Sequence, residues 1–185
     1  MKKILLISLA SISAFSQTSN IFEPIDVFDL EYVSNPQISP SGDKVLYQRN
    51  FNDIMTDQSF SNIWLIDYDG NNNRPITTGN FKDNSPKWSN QGDKFLFKSN
   101  REGKSQIFLF DLNNNSIQKL TNFQYSIESI QWSPNDKYIL FSSFIDSERD
   151  TLIEMYPLVF EMVAEHGYNI SGRDHIIAYN TERGV

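Results

Sequence analysis

Three stretches of the chain carry one pattern. Pro36–Asn50 reads PQISPSGDKVLYQRN, Ser85–Asn100 reads SPKWSNQGDKFLFKSN, and Ser129–Ser143 reads SIQWSPNDKYILFSS. Ile38, Trp88 and Trp132 fall at the same place, at spacings of 50 and 44 residues. A period of about 40 to 50 residues with aromatic anchors is the mark of a β-propeller or a related array. Each unit can be read physically. A large residue such as Trp88 ends a short strand and fills core volume. A tight turn follows, because proline fixes φ while Gly, Asn and Asp tolerate positive φ. Asp43, Asp93 and Asp136 mark that turn in the three units.

The second unit shows a whole blade. Lys94–Lys98 reads as a strand, SNREGKSQ as a turn around Gly103, IFLFDL as a third strand closed by Asn113–Asn115, and IQKLT as a fourth. Four short strands with turns between them make one propeller blade. The first unit follows the same scheme: Asn62–Gly79 parallels Gln106–Phe123, Asp67 matches Asp111, and Ile76-Thr77 matches Leu120-Thr121. Its extra residues, NFNDIMTDQSFS, are expected to form a longer loop between its strands. The expected fold is all-β, a partial β-propeller of four-stranded antiparallel blades with a short α/β C-terminal tail. The divisions are 1–16, 17–33 as a lead-in, 34–148 as about two and a half blades, and 149–185 as the tail.

The repeat disposes of two tempting motifs. Gly103-Lys104-Ser105 ends like a phosphate-binding loop, but such a loop needs glycine where Lys98 stands. Ser105 would need a second elbow glycine where Ile107 stands. The segment is therefore predicted to be a hairpin turn. DYDGNN from Asp67 suggests calcium, yet the loop pattern requires glycine and glutamate at Asn72 and Thr78. No catalytic, cofactor-binding or metal-ligating residue is expected, and no cofactor.

Lys2 and Lys3 precede an apolar run of 12 residues, Ile4 to Phe15, and Ala14 and Ser16 are small. This is the pattern of a secretory signal cleaved between Ser16 and Gln17. The run is short of the roughly 20 residues of a membrane span, so no stable membrane anchor is expected. The chain contains no cysteine, which excludes disulfides and thiol catalysis. With a formal charge of −7, it lacks the basic footprint of a nucleic-acid binder. Export predicts a bacterial periplasmic or secreted protein.

The repeat resembles that of TolB and of the N-terminal propeller of prolyl oligopeptidase family serine peptidases. The resemblance covers about Phe22 to Ser143, and SPKWSNQGDKFLFKSNREGKSQIFLFDL carries it most clearly. The lead-in FEPIDVFDLEYVSNPQISPSGDKVLYQRN and the long insertion before SNIWLID look like the acylaminoacyl-peptidase-like branch. The resemblance implies a propeller that covers an active site and admits short peptides. It also implies further blades or a C-terminal hydrolase domain as partners. That family's catalytic Ser, Asp and His have no counterpart here, since no Gly-x-Ser-x-Gly occurs in the chain. The chain is thus expected to be a non-catalytic fragment of a serine peptidase. The alternatives are a TolB-like binding propeller and a fused protein whose tail binds a small ligand.

Past Asp150, Leu152, Ile153, Tyr156, Val159, Phe160 and Val163 have helical spacing. Pro157 places the helix start near Leu158, and His166-Gly167 its end. HIIAYN then reads as a strand. EHGYNISGRDHIIAYN shares Gly167-Tyr168, Gly172 and Tyr179 with the gyrase-inhibitor-like effector-binding domain, and an ordinary αβ connection fits equally. His166 and His175 lack a third ligand, Ser171 lacks the preceding elbow glycine, and Asp146, Glu148 and Asp150 read as a solvated loop.

Overall fold

The computed structural model describes residues 22–144 and 174–180, with side chains for 22–143. A short 3₁₀ turn, Pro24–Asp29, leads into three antiparallel sheets. The first blade is β1 (Tyr32–Ile38), β2 (Lys44–Asp53), β3 (Gln58–Asp67) and β4 (Arg74–Pro75), hydrogen-bonded in that order. The second is β5 (Asn84–Trp88), β6 (Lys94–Ser99), β7 (Gln106–Asp111) and β8 (Ser116–Lys119), in the same order. The third sheet is β9 (Ile127–Trp132), β10 (Tyr138–Phe144) and β11 (Asp174–Asn180). The partial propeller of four-stranded blades expected from the repeat is the observed architecture. The predicted tail strand forms as β11 and pairs with β10 from Tyr138↔Asn180 to Phe144↔Asp174, in the third-strand position of its sheet. The predicted tail helix, the signal segment, His166 and Ser171 lie outside the described residues.

Strand alternation sorts the core. In β2, Leu46, Gln48 and Asn50 are buried while Val45, Tyr47 and Arg49 are only half-buried, the period-2 pattern of a sheet with two unequal faces. Leu46, Ile63 and Leu65 of the first blade pack on Phe95, Phe97, Phe108 and Phe110 of the second. The opposite face of the second blade, with Leu96 and Ile107, packs on Ile130, Trp132, Ile139 and Phe141 of the third. Phe95↔Phe110 and Phe97↔Phe108 are direct cross-strand partners, with ring centroids 5.1 and 5.6 Å apart. Such pairs add about 0.5–1.5 kcal/mol beyond the area they bury.

The tandem anchor of the repeat is an inter-blade hydrogen bond. The Trp88 indole Nε1 donates to the Gln37 carbonyl, and the Trp132 indole Nε1 to the Lys87 carbonyl, both at 3.0 Å. Gln37 and Lys87 immediately precede the equivalent positions Ile38 and Trp88 one blade earlier. The series is graded in burial: Ile38 is 70% exposed and Trp132 only 8%. Ile38 has the place of the tryptophans, but no preceding blade lies against it among the described residues.

The turn between first and second strands is also shared. Ser39, Ser89 and Ser133 are buried, and each donates its amide across the turn to the carbonyl of Lys44, Lys94 or Tyr138. Each serine hydroxyl accepts the amide hydrogen of that same residue, at 3.0–3.2 Å. Ser39 and Ser89 donate in turn to Asp43 and Asp93. Asp136 is not their equivalent, which corrects the expected alignment. It stands where Gly42 and Gly92 stand, with φ of 57° against 77° and 75°. The turn demands a left-handed residue there, and Asp is among the non-glycine types that adopt it most readily. Asn135 receives the Ser133 hydroxyl instead.

A second correction concerns NFNDIMTDQSFS. It is not a loop: β2 and β3 stay paired over ten residues, from Lys44↔Asp67 to Asp53↔Gln58. Phe51, Asn52, Ser59 and Ser61 have ladder partners, so the insertion lengthens the hairpin and only Ile54–Asp57 turn.

Candidate functional site: the cleft between the first two blades

Gly103 has φ of 101° and donates its amide to the Asn100 carbonyl, so Gly103-Lys104-Ser105 closes the β6–β7 hairpin. Ser105 uses its carbonyl to receive the Ile127 amide of the third sheet. At DYDGNN, one Asp67 oxygen takes the Lys44 ammonium at 3.0 Å and the other the Asn72 amide at 2.6 Å. His175 lies in β11, outside the described side chains. Among the described residues, no three His, Cys, Asp or Glu side chains cluster to hold a metal ion. Among them, too, no helix is long and apolar enough to cross a membrane.

What the described residues do bring together is a polar cleft between the first two blades. On the face that Leu46, Ile63 and Leu65 share, the strands turn polar toward the hairpin tip: Gln48, Asn50 and Asn52 on β2 lie opposite Ile63, Ser61 and Ser59 on β3. With Lys82, Asn84 and Ser85 from the second blade they line a cavity of about 360 Å³. Aromatic Tyr32, Phe51 and Phe60 contribute to its walls.

The amides are fixed by one another. Asn35 Nδ2 donates to Gln48 Oε1 at 2.9 Å, Gln48 Nε2 to Asn50 Oδ1 at 2.6 Å, and Asn50 Nδ2 to the Ser34 hydroxyl at 2.9 Å. Ser61 donates to the Asp83 carbonyl at 2.8 Å, joining the blades at the cleft floor. An extra residue in β1 at Asn35 and in β5 at Ser85 shifts the strand register at the mouth, and both have left-handed φ, 49° and 55°. None of these residues stood out in sequence. The available signal was the alternation Gln48-Asn50-Asn52, which puts amides on the face where the start of the strand has leucine.

Charged groups are placed beside the cleft and at the next junction. Asp83 is fully buried, its Oδ2 paired with Arg101 at 2.9 Å and its Oδ1 without a hydrogen-bond partner among the described residues. The Arg101 guanidinium lies 4.9–5.6 Å from the ring centroids of Phe108, Phe97 and Phe81, a cation–π seat. At the next junction Lys98 occupies the place of Gln48 and donates its ammonium to the Glu128 carbonyl. Burial pushes the Lys98 ammonium below the ordinary lysine value, against the pull of the Glu128 charge. At the far turn, hydrogen bonds from Ser41 and Ser39 hold Asp43 low, and Asn72 and Lys44 do the same for Asp67.

The TolB beta propeller domain family matches residues 23–158. Dipeptidyl-peptidase 5 of Porphyromonas gingivalis is 35% identical over 164 residues, covering 84% of this chain and 24% of that protein. The chain therefore spans about a quarter of the length of this curated relative. Among solved structures, the acylaminoacyl peptidase of Pyrococcus horikoshii superposes with a TM-score of 0.60 at 18% identity, over 84% of this chain and 24% of its own. TolB from Acinetobacter baumannii gives 0.55 at 18%, over 84% and 31%. At these identities the two structures show the fold alone, and the fold is the propeller already described. The family match extends over most of the chain, from the lead-in past the end of β10, and the chain belongs to the TolB β-propeller domain family.

Proposed function

We propose that the chain is the propeller part of an exported serine peptidase acting on short peptides, a scaffold that gates substrate and leaves the chemistry to a hydrolase domain. The carrying observation is the 35% identity to a dipeptidyl-peptidase over 84% of the chain. An alignment over that share of the chain takes in the lengthened first hairpin as well as the repeats. The chain's own chemistry supports a scaffold role: Ser105 is committed to a hairpin, with no elbow glycine at Ile107. A serine hydrolase needs a nucleophile on a strained turn, a histidine base in reach and an oxyanion hole. Export rests on Lys2, Lys3 and the apolar run to Phe15, with Gln17 as the new N-terminus.

The test has two arms. The 185-residue chain, incubated with Ala-, Phe- and Pro-containing peptide anilides and a fluorophosphonate probe, is expected to show no turnover and no label. Labelling at Ser105 or Ser171 that alanine substitution removes would overturn the scaffold role. The gene supplies the second arm. An in-frame hydrolase segment with Gly-x-Ser-x-Gly supports the peptidase, whereas a propeller encoded without one supports a TolB-like binding protein.

A further inference from the structure

We propose that the cleft between the first two blades binds a short peptide end-on, its terminal carboxylate on Lys82 and its main-chain groups on the amides of Asn35, Gln48 and Asn50. The choice of peptide rests on the peptidase reading above; the choice of a carboxylate rests on the cleft itself.

Its volume of about 360 Å³ lies within the ~300–1,000 Å³ of small-molecule sites. Among the described residues no carboxylate lines it, and Lys82 is the one cation that does. Lys82 is exposed, and its ammonium has no ion pair or hydrogen bond among the described residues; its backbone amide donates to Asn100 and its carbonyl accepts from the Asn84 side chain. An unpaired ammonium on a residue that lines such a cavity selects an anionic group and can donate to it in charge-assisted hydrogen bonds. The amides beside it carry no charge. Asn35 and Gln48 each use one amide hydrogen on a neighbouring amide and have a second to donate to a peptide carbonyl. Asn50, whose two amide hydrogens go to Ser34 and the Tyr32 carbonyl, can accept a peptide N–H. Their mutual bonds hold them in place before a ligand arrives, so little ordering is required on binding.

The neighbouring junction supports the assignment by contrast. There Lys98 takes the place of Gln48 and crosses to the Glu128 carbonyl, and β6–β7 pair over only six residues. The ten-residue β2–β3 hairpin gives the first junction a wall that the second lacks. The same repeat is thus lengthened at the first junction, where its polar positions line a cavity instead of crossing to the next sheet.

The test titrates the full chain with triglycine, triglycine amide and acetate, following side-chain amide resonances of Asn35 and Gln48. Triglycine is expected to shift them saturably. Lys82→Gln, at an exposed position, should fold as the parent and weaken binding about tenfold, the effect of one charge-assisted contact. Triglycine amide should bind the parent about tenfold less tightly than the acid. Ser59→Trp, also at an exposed position, should block the cleft and abolish the shifts with an unchanged melting temperature. Equal binding of acid and amide, parent-like binding by Lys82→Gln, or no saturable shift at these amides overturns the proposal. Acetate binding as tightly as triglycine overturns the peptide part, leaving a small-anion pocket. The readout is binding without catalysis. A negative result therefore leaves the peptidase reading intact, and a gene without a hydrolase segment leaves the cleft's binding unaltered.

Discussion

The two blade junctions are built from the same repeat and end in different chemistry. At their turn ends they agree: a tryptophan indole reaches back to the preceding blade, and a buried serine closes the turn. Toward the hairpin end they part. Between the first and second blades the polar positions are Gln48 and Asn50, bound to each other and open to a cavity. Between the second and third, Lys98 spans the junction itself. The difference teaches that the repeat's constraint is local. The indole bond and the serine turn are needed to dock successive sheets, while residues further along the same strand face can be exchanged without altering the docking.

If docking depends on the shared aromatic layer, its loss should be the most damaging change. Phe95→Ala removes a fully buried ring that packs on Phe97, Phe110 and Trp88. It should cost about 3–5 kcal/mol, as for buried aromatic truncations generally. Val45→Ala, the equivalent position in the first blade and only half-buried there, should cost far less. Urea midpoints of the two variants would check this, and equal losses would show that the first blade's outer face is as well covered as the junction.

A smaller effect should separate the turns. Asp136 accepts the amides of Asn90 and Gln91 and the Asn90 side chain, at 2.6–3.2 Å, a clasp from the third sheet onto the second. Asp136→Gly keeps the left-handed backbone and removes these charge-assisted bonds, leaving the Asn90 side chain on the Ser133 carbonyl. A loss of about 1.5–3 kcal/mol is expected. Stability within about 0.5 kcal/mol of the parent would mean that backbone geometry, not the clasp, accounts for the aspartate.

The smallest effect distinguishes Lys98 from Gln48 by pH. Lys98 titrates below its ordinary value of 10.5 because burial disfavours the ammonium. Between that lowered value and 10.5 the unfolded chain holds more protons than the folded one, so stability rises with pH. Lys44 acts oppositely and elsewhere: its bond to Asp67 raises its value above 10.5, so its contribution is complete below 10.5 and lost only beyond. Denaturation midpoints measured up to pH 10.5 should therefore climb for the parent and climb less for Lys98→Gln. Identical profiles would show that Lys98 is not charged and buried at the junction.

The repeat alone carried the architecture. Ile38, Trp88 and Trp132 set the period, and the short apolar runs in KFLFKS and QIFLFD, bounded by turn residues, marked strands. These are periodic, local signals, and a strand face must follow its neighbours every second residue. The place of Asp136 was misread because alignment matched letters, aspartate to aspartate, where the backbone matched a left-handed φ. The longer hairpin was misread for a related reason. Asn, Asp and Ser in NFNDIMTDQSFS favour loops, but cross-strand pairing between Phe51↔Phe60 and Asn52↔Ser59 outweighed that preference. Only the tertiary structure decided that Lys82, Asn35 and Gln48 should line one cleft, because that depends on how one blade lies against the next. Ser61 and Asp83, 22 residues apart, fix that placement: the Asp83 amide donates to the Ser61 carbonyl, the Ser61 hydroxyl to the Asp83 carbonyl, and the Ser61 amide to the Phe81 carbonyl. No period in the sequence encodes a meeting between different repeats, and so the sequence determined the blades while their packing determined the cleft.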